Sequence, residues 1–600
     1  MSCANMPDAA GTPAEEQLLM PRKRRAATGM CVKCKNERGR ILRMSVAYCK
    51  ACFHLQYYAR LAKTLHPPLY PEPTVITTTT VPPNGQYPVK QLVGRPPRQA
   101  GDVVLALSGG AASASLLDVL VGKGYIGMRE DADADADGAR LERGQKQSTW
   151  RKAWAVHVDF SHIIPEMQDQ SAAMADYLET AYPHHAIELV VIRAEEAYDP
   201  ALVQRLRAYG RGAKDGDAVG GASGEAHAVA VAVDLTQPEL PISSGSTTSV
   251  VESPLESLTS LLTTLPAASH PHLLTQILTS LLHLAASHLP AITHLLLGET
   301  STRQAQGIIA GAAIGNGWGL PIDLQGVHVL PTAGHGGGGG GGDVTRIKPL
   351  REAMFKEAAY YCHIKRIPTV NHRLWDRTVG TLGAGAGPGD KSRIKGVGEA
   401  RGKGGINSLE KLTEDFITNL GATHPSTVST ISRTGSKLVF RGRQPAEGNA
   451  EHIVCPLCGL PAEPSSLEWK ARTALTSLGK LPDTGAPSAD DDDDVPQTTA
   501  HPAHGLAPLL CYACLTAMLP SSTGVVGGVV QSSSAETAAA RGGVRLPLWV
   551  SDRVSARLGW DTIDRIQEDH EHRDAAGAKR MSMQEMRAAV DDFLINDDEE

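Results

Sequence analysis

The sequence predicts an α/β protein: a parallel sheet flanked toward each end of the chain by a cysteine-rich module, with long low-complexity inserts between its elements. Three observations carry this. From Asp102 onward, short apolar runs alternate with amphipathic stretches, the pattern of strands joined by helices in a sheet covered on both faces. Eight of the ten cysteines fall in four Cys-x-x-Cys pairs, two toward each end. The 600 residues include 60 Gly and 38 Pro but only 4% aromatics, so much of the length is linker or insert rather than core. The formal charge of −7 provides no global basic field, and any nucleic-acid contact must come from local patches. No apolar run approaches the roughly 18 residues of a membrane span, and the N-terminus has no signal-peptide core. The expected address is cytoplasmic, where Cys-x-x-Cys pairs read as metal ligands rather than disulfides.

Taken in order, residues 1–28 read as a disordered leader whose Arg22–Arg25 basic cluster is solvated. Residues 29–66 form a four-cysteine zinc module, and 67–100 a Pro- and Thr-rich linker. The α/β core is expected over 101–440. DVVLALS is its first strand and SASLLDVLVGKG the following helix, ended by Gly. Trp154–Phe160 is the second strand, IELVVIRAEE the third, HPHLLTQILTSLLHLAASHL a long helix, THLLLGET the fourth strand and GVHVLP a fifth. The inserts DADADADG (131–138), Asp215–Ser246 and Gly336–Gly342 bury too little apolar surface to order themselves. INSLEKLTEDFITNL reads as a further helix. Residues 441–550 hold the second four-cysteine zinc module, split by the acidic run Asp490–Asp494. Residues 551–600 close with the amphipathic MQEMRAAVDDFLI and an acidic tail.

Cys31-x-x-Cys34 and Cys49-x-x-Cys52 lie fourteen residues apart, a spacing that brings four thiolates onto one tetrahedral Zn²⁺. Cys455-x-x-Cys458 and Cys511-x-x-Cys514 repeat the pattern across 52 residues, so two structural zinc sites are expected. Around the first set, Lys33, Lys35, Arg38 and Arg40 are interleaved with Tyr48, Phe53, Tyr57 and Tyr58. That mixture suits an RNA backbone and stacked bases, or else a small fold in which aromatics replace a missing core. Lys391, Arg393, Lys395, Arg401 and Lys403 form a second basic cluster, read as a tRNA contact from charge alone. Cys362 reads as a buried helix residue.

Ser108, Gly109, Gly110 and Ser113 follow the first strand, where glycines let backbone N–H groups approach a phosphate and a helix begins. They are similar to the SGGxDS loop of the PP-loop ATP pyrophosphatases, an adenine nucleotide α-hydrolase-like fold. The acidic position of that loop is Ala112 here, which argues against ATP activation by this chain. Asp159 reads as a loop or capping residue. A four-cysteine module, such a core and a second four-cysteine module together resemble the tRNA thiolases. GETSTRQAQGIIAGAAIGNGWGLP, RIKPLREAMFKEAAYYC and SLEKLTEDFITNL with PSTVSTISRTGSKL resemble one branch of them, the cytoplasmic tRNA 2-thiolation protein 2 family. The resemblance implies a non-catalytic subunit, paired with a catalytic paralogue that thiolates the wobble uridine of tRNAs for Lys, Glu and Gln. It also implies a thiocarboxylated ubiquitin-related modifier as sulfur source, and a role in attaching that modifier to proteins. Two alternatives stand beside it: an active PP-loop sulfurtransferase using Asp102, Asp118 or Asp159 as a displaced acid, and a zinc-module RNA or protein adaptor.

Overall fold

The computed structural model describes residues 29–43, 46–69, 75–77, 90–92, 101–129, 148–164, 167–209, 231–235, 240–244, 253–330, 343–370, 408–439, 454–463, 466, 505–519 and 543–558. The leader, the 131–138 and 336–342 inserts, the Asp490–Asp494 run and the acidic tail lie outside these residues.

The central sheet has six strands: β1 (Gly101–Ala106), β2 (Trp150–Asp159), β3 (Ile187–Arg193), β4 (Ile292–Leu296), β5 (Val327–Leu330) and β6 (Val344–Ile347). Their spatial order is β5-β6-β4-β1-β2-β3. All neighbours are parallel except β5, which pairs antiparallel with β6, so the expected fifth strand exists but runs against the sheet at its edge. From β1 the chain first builds outward to β2 and β3, then crosses back to β4 and β6. The reversal falls between β1 and β4, and the carboxyl ends of strands at such a switch point form a crevice.

Alternate residues of β1 face opposite cores. Val104 joins Trp154, Val156 and Leu295 on one side, whereas Val103 and Leu105 join Ala153, Ala155 and Leu296 on the other. Parallel sheets must be covered on both faces. The Val103 side is covered by α1 (Lys50–Leu69), α2 (Ala111–Gly122) and α5 (Phe355–Lys365). The opposite side is covered by α3 (His270–His288), by Leu258 and Leu261, by all four C-terminal cysteines, and by Trp549, Val550 and Val554 of α8 (Leu548–Leu558). The second cysteine set, assigned by sequence to its own terminal module, thus shares one hydrophobic core with the sheet. On the flank, α6 (Leu409–Thr423) and α7 (Pro425–Gly435) pack Ile417 and Val428 against Ala305 of α4 (Ser301–Ala313).

Two further departures have physical causes. β2 begins four residues earlier than the apolar run, because Arg151 pairs with Asp102 and Lys152 with Glu188, which lets cations occupy the strand's start. Within the low-complexity insert, Val231–Val233 and Ile242–Ser244 form strands, joined by Val544–Arg545. The partner that orders them lies some 300 residues away, beyond the reach of local pattern.

The N-terminal module docks through charge and aromatics. Buried Glu357 of α5 bonds to Arg43 and takes an ion pair from Arg60 Nη2 at 2.7 Å. Tyr57 stacks on Tyr361 with ring centroids 5.0 Å apart, and its hydroxyl lies 2.8 Å from Ser115 Oγ. Phe53 and Tyr57 are therefore core residues rather than base-stacking platforms. Glu357→Ala leaves two guanidiniums without their shared carboxylate, and a loss of about 3 kcal/mol is expected from urea unfolding. Tyr57→Phe, which removes only the hydroxyl contact, is expected to cost about 1 kcal/mol.

Candidate metal centres and phosphate loop

Each cysteine quartet is assembled from the same two parts. The first pair of each sits on a tight turn that leaves the residue after its second cysteine in a left-handed conformation: Lys35 at φ 57° and Gly459 at φ 71°. The turn is closed by Lys35 N–H to Cys31 O and by Gly459 N–H to Cys455 O, both 2.9 Å. The second pair of each sits at a helix start, where Phe53 N–H bonds to Cys49 O at 3.0 Å and Leu515 N–H to Cys511 O at 2.9 Å.

Within Cys31, Cys34, Cys49 and Cys52, and within Cys455, Cys458, Cys511 and Cys514, all sulfurs lie within 4.8 Å of one another. Among the described residues these are the groups of His, Cys, Asp or Glu close enough to share an ion. A tetrahedral ion with metal–sulfur bonds of about 2.3 Å holds its sulfurs about 3.8 Å apart. Cys34 and Cys49 Sγ are 3.8 Å apart, and Cys458 and Cys511 Sγ 3.9 Å. The nine described cysteines are all free thiols, so these approaches are not disulfides. Both quartets fit a metal ion closed on four sides.

Thiolate character is already built in. Burial opposes ionisation of Cys31, but N–H groups of Cys34, Cys49 and Lys33 outweigh it and bring its pKa down to about 6. Its neighbour Cys49 is favoured by the Cys52 amide, yet burial and adjoining groups push it up to about 12. One thiolate forms readily and the next is resisted, which is the situation a divalent cation relieves.

The C-terminal quartet has a buried polar surround that the sequence did not disclose. His272 of α3 places Nε2 3.6 Å from Cys514 Sγ, and burial keeps this imidazole neutral with a pKa of about 4. Arg553 of α8 donates from Nη1 to Pro456 O at 2.9 Å, and Trp549 Nε1 donates to Leu457 O at 3.3 Å. A side chain at Gly459 would meet the Arg553 guanidinium at 3.1 Å, so glycine there serves both the turn and the arginine. A lone His on an apolar helix face and an Arg on an amphipathic one carry no spacing that ties them to a cysteine.

At the switch point, Ser108 to Ser113 lead from β1 into α2. Gly109 takes φ 73°, and its carbonyl accepts from Val370 N–H at 2.9 Å. Ser108 Oγ and Ser113 Oγ lie 3.2 Å apart, and Ser113 Oγ also donates to Gly110 O at 3.1 Å. Gly298 after β4 packs so closely that a Cβ would sit 3.0 Å from the Ser113 backbone. The loop has the shape of an anion cradle, and α2 starts without a side-chain cap.

The acids that could replace the missing loop carboxylate are engaged elsewhere. Asp102 accepts from Arg151 Nε and Trp154 Nε1, both at 3.3 Å, at the opposite end of β1 from the loop. Asp118 accepts from Tyr182 OH at 3.2 Å and Tyr361 OH at 2.6 Å. Asp159 accepts from Ser161 N–H at 3.0 Å and Ser161 Oγ at 2.7 Å, the turn role expected of it. Cys362 is buried in α5 as expected; its Sγ donates to Ala111 O at 3.3 Å, and burial, then the Asp118 charge, pushes its pKa up to about 11. Lys33, Lys35, Arg38 and Arg40 stand exposed around the first quartet. Lys391, Arg393, Lys395, Arg401 and Lys403 lie outside the described residues. No helix among the described residues is long and apolar enough to cross a membrane.

Residues 408–516 match the profile of the family "Cytoplasmic tRNA 2-thiolation protein 2". Curated proteins of that name are similar to this chain. The mouse protein is 29% identical over 178 residues, covering 30% of this chain and 28% of its own. The human protein is 28% identical over 199 residues, covering 33% of this chain and 31% of its own. The matched regions thus span under a third of each relative's length. A solved structure, the U34-tRNA thiolase NcsA from Methanococcus maripaludis with its 4Fe–4S cluster, aligns over 71% of this chain and 92% of that one, at 12% identity and a TM-score of 0.35. A likeness that slight adds nothing to the sheet order described above.

Converting Cys31 or Cys458 to Ser is expected to lower bound metal from about two ions per chain toward one, as measured by elemental analysis. His272→Phe is expected to speed metal release from the C-terminal quartet to a chelator by about tenfold, and His272→Gln, which keeps an N–H donor, by much less.

Proposed function

We propose, from the match of residues 408–516 to the cytoplasmic tRNA 2-thiolation protein 2 family, that this chain is the non-catalytic subunit of a cytoplasmic tRNA wobble-uridine thiolase. It pairs with a catalytic PP-loop paralogue that acts on tRNAs for Lys, Glu and Gln. Sulfur comes from a thiocarboxylated ubiquitin-related modifier, and the complex has a role in attaching that modifier to proteins. Zinc fills both quartets, since four thiolates leave no open position and the ion is there for folding rather than chemistry.

One observation carries the non-catalytic assignment. The loop holds Ala112 where a carboxylate would manage the metal of a nucleoside triphosphate, and Asp102, Asp118 and Asp159 are each hydrogen-bonded elsewhere. Cys362 weighs the same way: a buried thiol with a raised pKa is a poor sulfur carrier.

In cells lacking this chain, thiolated wobble-uridine tRNA, read on a mercury-affinity gel, is expected to vanish. Wild type and the Ser108→Ala/Ser113→Ala double variant should both restore it. Rescue by wild type alone would return nucleotide or phosphate binding to the loop, and unchanged thiolation on deletion would refute the family role. ATP–pyrophosphate exchange by the purified chain should be absent. Replacing Lys33, Lys35, Arg38 and Arg40 together with Ala should flatten the salt dependence of tRNA binding by about three to four in log–log slope, if each meets a phosphate.

A further inference from the structure

The N-terminal module has two unlike faces. One docks on the core through Ile41, Arg43 and the α1 aromatics. The other remains open and is both apolar and basic. Met30, Val32 and Leu42 are 43%, 58% and 63% exposed. They form one surface: Leu42 pairs with Ala47, whose carbonyl accepts from Val32 N–H at 3.0 Å, and Met30 bridges to Arg38. Arg40 precedes Leu42 by two residues in the same extended run and so shares its side. Lys33, Lys35, Arg38 and Arg40 are exposed, and none pairs with a carboxylate among the described residues; Glu37 is the only acid of this stretch. A purely RNA-binding face has no use for three exposed apolar side chains beside its cations.

We propose that this face is the docking site of the chain's own C-terminal segment, Met583–Glu600, and that the docked segment competes there with RNA. Docking rests on the face and the segment; only the competition rests on the reading of the face as a tRNA surface. The segment has the complementary chemistry. Met583, Met586, Val590 and Phe593 recur at helical spacing, and Glu585, Asp591, Asp592, Asp597, Asp598, Glu599 and Glu600 face a single Arg587 in charge balance. The Asp490–Asp494 run and the DADADADG insert offer acid without large apolar side chains. The length suffices: α8 ends at Leu558, and residues 559–582 can extend roughly 80 Å. A compact body of about 300 residues has a radius of gyration of only roughly 19 Å. A segment that binds at about 100 μM, held at an effective concentration of about 1 mM, covers the face about ten to one.

The test uses the full-length chain and a full-length variant with Asp591, Asp592, Asp597 and Asp598 changed to Asn and Glu599 and Glu600 to Gln. Hydrogen exchange across Met30–Leu42 is expected to be slower in the wild type. A synthetic peptide of residues 583–600 should bind the variant near 100 μM, more weakly as salt rises, and not at all after Val32→Ser/Leu42→Ser. Equal exchange in both chains together with no peptide binding would overturn the docking. Protection that depends on protein concentration, with a dimer in sedimentation that the tail variant abolishes, would place the segment on a second copy and overturn docking within one chain. For competition, the tail variant is expected to bind a tRNA transcript about tenfold tighter at low salt. Docking by exchange and peptide with unchanged tRNA affinity would overturn the competition and remove the face from the tRNA surface, while leaving the docking intact.

Discussion

A parallel sheet cannot leave either face to water, and here neither face is closed by the segments that connect its strands alone. One side is completed by α1 from the N-terminal cysteine module, with Phe53, Tyr57, Leu61 and Leu65 in the same core as Val103 and Leu105. The other is completed from beyond residue 454, by the second quartet and the first turns of α8. Both covering pieces are small and rich in turns. In each, four cysteine sulfurs converge to within 4.8 Å of one another, so an ion held there would fix the shape that the sheet accepts. The two quartets act as clamps on opposite faces of one sheet.

The clamps differ in the polar matter around them. The first lies near solvent, with Cys34 partly exposed, and reaches the core through the Arg43–Glu357–Arg60 contact. The second is wholly buried, and four thiolates closed on a divalent ion there would carry net negative charge that needs compensation. His272 supplies a hydrogen-bonding nitrogen, and the cationic Arg553 holds the backbone of the first turn. Outer groups of this kind fix the direction of the ligands they touch. The first clamp is therefore exposed enough to carry a recognition surface, whereas the second is committed to the core.

What could be read from sequence follows from how local each constraint is. The Cys-x-x-Cys pairs were legible because a turn of fixed length delivers two thiolates wherever it occurs. β1, β3, β4 and α3 were legible because their apolar runs are continuous and bounded. The short strands at Val231–Val233 and Ile242–Ser244 were not, since their third partner is Val544–Arg545 and their composition alone looks like linker. The antiparallel setting of β5 depends on a register with β6 that no periodicity encodes. Likewise, Tyr57 and Phe53 suit a nucleotide or a core equally well until Tyr361 and Ser115 are seen beside them.

The loop after β1 shows how a functional shape can persist on structural grounds. Gly109 is needed for its left-handed backbone and because a side chain there would press within 2.7 Å of Met174 Cε. Gly298 is needed because α2 begins against it. The serine hydroxyls contact each other and the Gly110 carbonyl, so their polarity is used within the loop. None of these demands refers to a phosphate. The SGGxDS loops that it resembles carry their acid at the position of Ala112, whose side chain here only packs, half-buried, against the core on the Val103 side. Packing alone therefore accounts for the glycines and serines of the cradle, whereas the position of the loop's acid is alanine.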